Sequence, residues 1–246
     1  MAGRLSRTDF ASARLALHWA AQIPAAAGAT LVPARADASH TTFAWDDARK
    51  ALVSEAGAAL LVERFAIAFG ETTIPLAGMA LEAAIALLAA AMGTPQLQRP
   101  QHDLPAHPVA TGAPFEKPAE ADLGEVARWY SGAQRALAKY GVVRCWPHHF
   151  DIAALLALEG EKQIGVGMSP GDGSYSEPYF YVTPFPFAQG DLPSVAPGEW
   201  RKTGWKGAVL RGSVLVAQTD QDAMLGAFLE SAVGAGRAML DVTAKS

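Results

Sequence analysis

Hydrophobic and polar positions alternate along this chain with two periods, and the switches between them predict its elements. Residues 10–23 place apolar side chains every three to four positions, the spacing of a helix buried along one side. Thr8 or Asp9 is positioned to cap it, and Pro24 is expected to end it. From His40 to Trp45 the period falls to two, Asp46-Asp47 supplies turn chemistry, and Ala51 to Ser54 returns, which predicts a hairpin. A third strand is expected from Leu60 to Phe69, closed by Gly70. Ile74, Leu81, Ile85, Leu88 and Met92 then form a stripe at helical spacing, predicting a helix over 74–92.

Residues 93–121 lose all periodicity. They hold Pro95, Pro100, Pro105, Pro108, Pro114 and Pro118, and read as a linker or extended surface segment with His102 and His107 solvated. Beyond it the order of elements starts again. A helix is expected over 122–140, ending at Gly141. Strands follow at Val142–Trp146, His149–Leu158, Gln163–Met168, Pro178–Thr183 and Trp205–Val216, and a last helix capped by Asp220 covers 220–240. Segregated strands and helices predict an α+β fold with an antiparallel sheet. The expected build is two pseudo-repeated helix–strands–helix units, 1–93 and 122–246, joined by the Pro-rich linker 94–121.

Composition narrows the function more than the fold. Half of the 246 residues are hydrophobic, only 18% are charged, and the net charge is −4. Nothing here gives the basic excess of a nucleic-acid or anionic-membrane binder. One cysteine, Cys145, excludes an internal disulfide and is compatible with a cytoplasmic location. The arginines Arg4, Arg7 and Arg14 followed by an Ala-rich run loosely mimic a signal peptide, but Asp9, His18 and Gln22 interrupt it, so a plain first helix is the better reading. The nearly uncharged stretch 74–93 has the length of a membrane span, yet Glu82 would sit near mid-bilayer, so a buried helix is expected there. Gly165-Val166-Gly167-Met168-Ser169-Pro170-Gly171 only approximates a dinucleotide fingerprint. No phosphate-loop lysine or nucleophile elbow is present, and Cys145 beside Trp146 reads as a buried thiol rather than a nucleophile.

The second half carries three dense motifs: Trp146-Pro147-His148-His149-Phe150-Asp151, Ser169-Pro170-Gly171-Asp172, and Glu177-Pro178-Tyr179-Phe180-Tyr181-Val182, followed by Gly204-Trp205-Lys206-Gly207. Together with Leu17-His18-Trp19-Ala20-Ala21-Gln22-Ile23 in the first half, these resemble a bacterial family of unknown function sharing a Trp-Pro-x-His-Phe-Asp segment, a Ser-Pro-Gly-Asp turn and a Glu-Pro-Tyr-x-Tyr-Val strand. The resemblance implies a shared fold and a site, and no particular chemistry.

On a regular strand His149 shares a face with Asp151, where the carboxylate would orient the imidazole, while His148 points the other way. The Ser169–Asp172 segment reads as a type II turn needing φ > 0 at Gly171, projecting Asp172 toward Glu177. His149, Asp151, Asp172 and Glu177 are therefore expected to converge at one sheet edge. Three uses are open: ligands for a divalent metal, acid/base catalysis with His149 as the titrating group, or a structural knot. Tyr179, Tyr181, His148 and Trp146 would line a small-molecule site beside them, with the tyrosines as core the competing reading. Arg144 and Arg201 are candidates for recognising a ligand carboxylate or phosphate. His18 and His40 echo the second-half histidines by position.

Overall fold

The computed structural model describes residues 7–187 and 191–242. Arg4 lies outside them, as do the Thr8 and Asp9 side chains on which the expected cap rests. The chain is α+β with antiparallel strands, and it divides into two compact units. Among the described residues, one comprises 7–131 plus Arg144–Asp151. The other comprises Gly132–Val143 and the chain from Ile152 onward. The boundary thus falls inside a helix and just after a hairpin turn, not in the Pro-rich segment.

In the N-terminal unit, α1 (Arg7–Leu31) continues through Pro24. Proline in a helix interior costs about 3 kcal/mol. Ile23, Ala25, Ala26 and Ala27 around it are wholly buried, and their packing holds the helix together. The hairpin of β1 (Phe43–Asp46) and β2 (Ala51–Ser54) forms with Asp46 opposite Ala51, although residues 39–41 are a tight helical turn rather than the start of the strand. The expected third strand is two, β3 (Ala59–Leu61) and β4 (Ala66–Phe69), because Phe65 adopts φ 50° and reverses the chain. The expected 74–92 helix shrinks to α2 (Leu81–Ala91): Ile74 lies in β5 (Thr72–Pro75), and Gly78 at φ 76° separates the two elements.

The Pro-rich segment is a packed strap of this unit rather than a linker. Leu97, Val109 and Phe115 are buried. Trp19 Nε1 donates to Pro105 O at 3.0 Å, Gln98 N donates to Thr30 Oγ1 at 2.8 Å, and Phe115 N donates to Met79 O at 2.8 Å. Helix α3 (Glu120–Leu137) follows, and β6 (Val143–Trp146) pairs with β1 through Phe43 and Cys145. The strand order here is β6-β1-β2-β3-β4-β5.

In the C-terminal unit β7 (Asp151–Ala157), β8 (Gln163–Ser169), β9 (Tyr179–Phe185), β10 (Glu199–Arg201) and β11 (Gly207–Arg211) run in the order β10-β11-β9-β8-β7. Strand β10 had no sequence signal, and the expected 205–216 strand turns into α4 (Gly212–Val216) halfway. Helix α5 (Gln221–Val242) starts where Asp220 Oδ1 accepts the Ala223 N–H at 2.9 Å, as the capping pattern predicts. Its buried Leu225, Phe228, Leu229, Ala232 and Met239 form a helical stripe that packs on β8, β9 and β11.

Candidate functional site

Each motif is best understood by asking where its polar atoms go. Trp146–Asp151 is a hairpin connection: Pro147 to Phe150 form a four-residue turn, and Phe150 N donates to Trp146 O at 2.7 Å. Phe150 takes φ 55°, a conformation that costs a non-glycine residue about 1 kcal/mol or more. Its ring is buried and offsets that cost, stacking on His18 (5.2 Å between centroids, 12° between planes) and tilting against Tyr130 (5.4 Å). Two side chains from α1 converge on one turn carbonyl. His18 Nε2 donates to Pro147 O at 3.0 Å, and Gln22 Nε2 donates to the same oxygen at 2.8 Å. The Tyr130 hydroxyl donates to Phe150 O at 2.6 Å. Three carbonyls of the motif are thereby satisfied by buried donors, which a buried turn requires.

The turn takes His149 out of the strand register on which the expected His149–Asp151 pair rests. His149 sits in the turn and is exposed, so the period-two argument does not reach it; only Asp151 begins the strand. His148 is half-buried, 4.3 Å from the His149 ring and 5.4 Å from that of His102 on the strap, with Trp146 edge-on at 6.0 Å. His102 is half-buried rather than solvated. Burial, and then the nearby His149 and His102, pull His148 down to about 4. Burial is also the main reason that His18 falls to about 4, helped by Arg14, His149 and His102 and opposed by the bond to Pro147. Both imidazoles are neutral at pH 7, and His18 must carry its proton on Nε2 to make its contact. Cys145 is wholly buried; burial first, and the Asp151 charge second, push its thiol well above the usual range, so it stays protonated. Arg144 Nη1 donates to Thr42 Oγ1 at 3.4 Å, and His40 Nδ1 accepts from Arg35 N at 3.2 Å.

The two downstream carboxylates are held by their own loops. Gly171 has the positive φ expected of it (110°), and its N–H donates to Ser169 Oγ at 3.1 Å. Asp172 Oδ1 accepts from Ser174 N (2.6 Å) and Tyr175 N (3.0 Å), and Oδ2 accepts from the Tyr179 hydroxyl (2.6 Å). Glu177 accepts from Ser213 N (2.5 Å) and Ser213 Oγ (3.0 Å) at the start of α4. Among the described residues no group of three or more His, Cys, Asp or Glu side chains is placed to hold a metal ion. The divalent-metal reading of His149, Asp151, Asp172 and Glu177 draws no support from such a group.

What the C-terminal unit does assemble is a cluster of rings. Tyr179 stacks on Trp205 (5.8 Å, 13°), Tyr181 meets Trp205 edge-on (6.1 Å), and Tyr175 packs on Tyr179 (4.9 Å). The Arg201 guanidinium lies 5.4 Å from the ring centres of both Tyr175 and Trp205. Tyr179 is buried under its neighbours, whereas Tyr175, Tyr181, Trp205 and Arg201 are half-exposed. Tyr130 and Tyr175 carry no sequence signal, and Gln22 enters only in the Leu17–Ile23 motif and as a break in the Ala-rich run, since single polar residues on helices and loops carry no periodic signal. Comparison with family models, curated proteins and solved structures finds no match.

Proposed function

We propose that this chain is a non-catalytic small-molecule-binding protein whose histidine and carboxylate motifs build the fold, and that ligand docks on the aromatic face of the C-terminal unit. The carrying observation is Arg201, a charged group held between Tyr175 and Trp205 at the surface. Side chains that only fill a core do not leave a guanidinium and three rings half-exposed together. Against the acid/base and metal readings, Asp172 already accepts three hydrogen bonds and Glu177 two from loop N–H and hydroxyl donors, and His149 stands in a turn away from any strand register. The pseudo-repeat is part of the same reading. It is supported by the β1–β2 and β6–β7 turns, each four residues long, each closing on a non-glycine at positive φ (Lys50 at 49°, Phe150 at 55°), and each preceded by a long helix.

A fragment screen followed by the indole N–H resonances tests the proposal. Ligands should shift the Trp205 signal in the native protein and in His149→Ala, and bind at least tenfold more weakly to Trp205→Ala. Ligands that are lost on His149→Ala but bind Trp205→Ala normally would return the site to the histidine turn.

A further inference from the structure

Resting on the binding reading above, we propose that the aromatic face takes a small planar organic anion, its ring against Tyr181 and Trp205 and its carboxylate or phosphate on Arg201. The shape of the face comes from missing side chains. On β8 the space above Gly167 is taken by the Tyr181 ring, while Gly207 on β11 is crowded first by the Thr183 methyl and the Val182 carbonyl and then by Trp205. A Cβ on Gly167 would lie 2.3 Å from Tyr181 Cζ, and one on Gly207 would lie 3.0 Å from Trp205 Cζ3. The Tyr181 ring therefore lies across the β8 backbone rather than standing off the sheet, with Trp205 edge-on beside it. A ring in that attitude presents its flat face outward, the orientation that stacks a planar ligand. Leu155 and Phe185, on the same face by register, are more than half exposed and extend the apolar surface.

Charge selects the ligand's other half. The end of β10 and the loop that follows contribute Arg201, Lys202 and Lys206 within six residues and no acid, in a chain whose net charge is −4. The next cation, Arg211, is matched by Glu199 at 3.7 Å, but Arg201 has no ion pair among the described residues, and its Nε is buried with no hydrogen-bond partner among them. The acid touching the cluster is Asp172, whose oxygens already accept three hydrogen bonds. A guanidinium lying over an aromatic ring keeps its N–H donors available for other partners. Its planar set of N–H donors suits a fork-like contact with a carboxylate or phosphate. A neutral sugar or a cation would leave that charge unused.

Four probes separate the terms: benzoate, phenyl phosphate, benzamide and cyclohexanecarboxylate, titrated into the full chain and read from the Trp205 indole and Arg201 Nε–H signals. Benzoate, phenyl phosphate or both should saturate the two signals, and which one binds distinguishes carboxylate from phosphate ligands. Benzamide and cyclohexanecarboxylate should bind at least tenfold more weakly. Arg201→Gln should abolish that preference while leaving benzamide unchanged, and Arg201→Lys should restore part of it. If benzamide equals benzoate, or Arg201→Gln keeps full anion affinity, the anion assignment fails while ring docking stands. If no probe moves Trp205, both fail. Binding of a single-stranded oligonucleotide a hundredfold tighter than phenyl phosphate would assign the face to a polymer and overturn the small-molecule inference.

Discussion

Replacing His18 by phenylalanine should make the protein less stable at neutral pH and more stable in acid. The perturbation keeps an aromatic ring against Phe150 and removes one donor to Pro147 O, which Gln22 still satisfies. The cost at pH 7 is therefore that of one hydrogen bond, about 1 kcal/mol. The gain in acid follows from linkage. His18 is depressed from 6.5 unfolded to about 4 folded, by burial first and then by Arg14, His149 and His102. Between those values the unfolded chain binds the extra proton, so native stability is complete above about pH 6.5, falls as pH drops toward 4, and is flat below. The full loss is about 3 kcal/mol. His18→Phe lacks this loss, so the two stability curves should cross near pH ~6 and be separated by about 2 kcal/mol in the opposite sense at pH 4. Urea denaturation at stepped pH, read as the difference between the two proteins, cancels every other titrating group. Parallel curves from pH 7 to pH 4 would refute both the neutral state of His18 and its clamp on the turn.

Three further outcomes follow from the geometry. Asp172→Ala should lower stability by about 1–3 kcal/mol, because it strips the acceptor from two loop N–H groups and the Tyr179 hydroxyl; an unchanged urea midpoint would remove Asp172 from the structural account. Gly167→Ala should lift the Tyr181 ring off β8, visible as altered ring-current shifts around Trp205, and weaken ligand binding on that face; unaltered shifts would contradict the flat-ring arrangement. Cys145 should resist a thiol reagent in the native protein and react only at the rate of unfolding, so rapid labelling under native conditions would contradict its burial.

Most of the fold was legible because burial writes a period into the chain. The stripe of α5, the Asp220 cap, the β1–β2 hairpin and strands β8 and β9 all follow from spacing and end signals. Two of the misreadings share one cause. At Phe65 and Phe150 the chain reverses on aromatic residues in the left-handed region, where sequence reasoning looks for glycine or asparagine. A turn built on a buried aromatic is indistinguishable in sequence from strand continuing, so one strand was expected at 60–69 and His149 was placed on a strand. Pro24 misled in the opposite direction, since the packing that overrides proline's local preference is tertiary and leaves no local mark.

The same limit separates the two kinds of candidate site. Conspicuous residues, two adjacent histidines and three carboxylates in a chain poor in charge, drew attention to the motifs. In the folded protein that polarity is consumed: His18, Gln22 and Tyr130 complete one turn, while the Asp172 and Glu177 carboxylates complete a loop and a helix start. Buried backbone must be paired wherever the chain turns inside a core, so dense polar motifs at turns are the expected cost of such turns. The informative polar group is the one the fold leaves unspent. Arg201 meets that criterion, with two rings within 5.4 Å of its guanidinium, no ion pair among the described residues and a side chain only partly buried. Its one-dimensional context, Trp200-Arg201-Lys202-Thr203-Gly204-Trp205-Lys206, already shows cations interleaved with aromatics. Only the fold supplies Tyr175, from the loop before β9, and the glycine-backed Tyr181 ring, which turn that pattern into a surface.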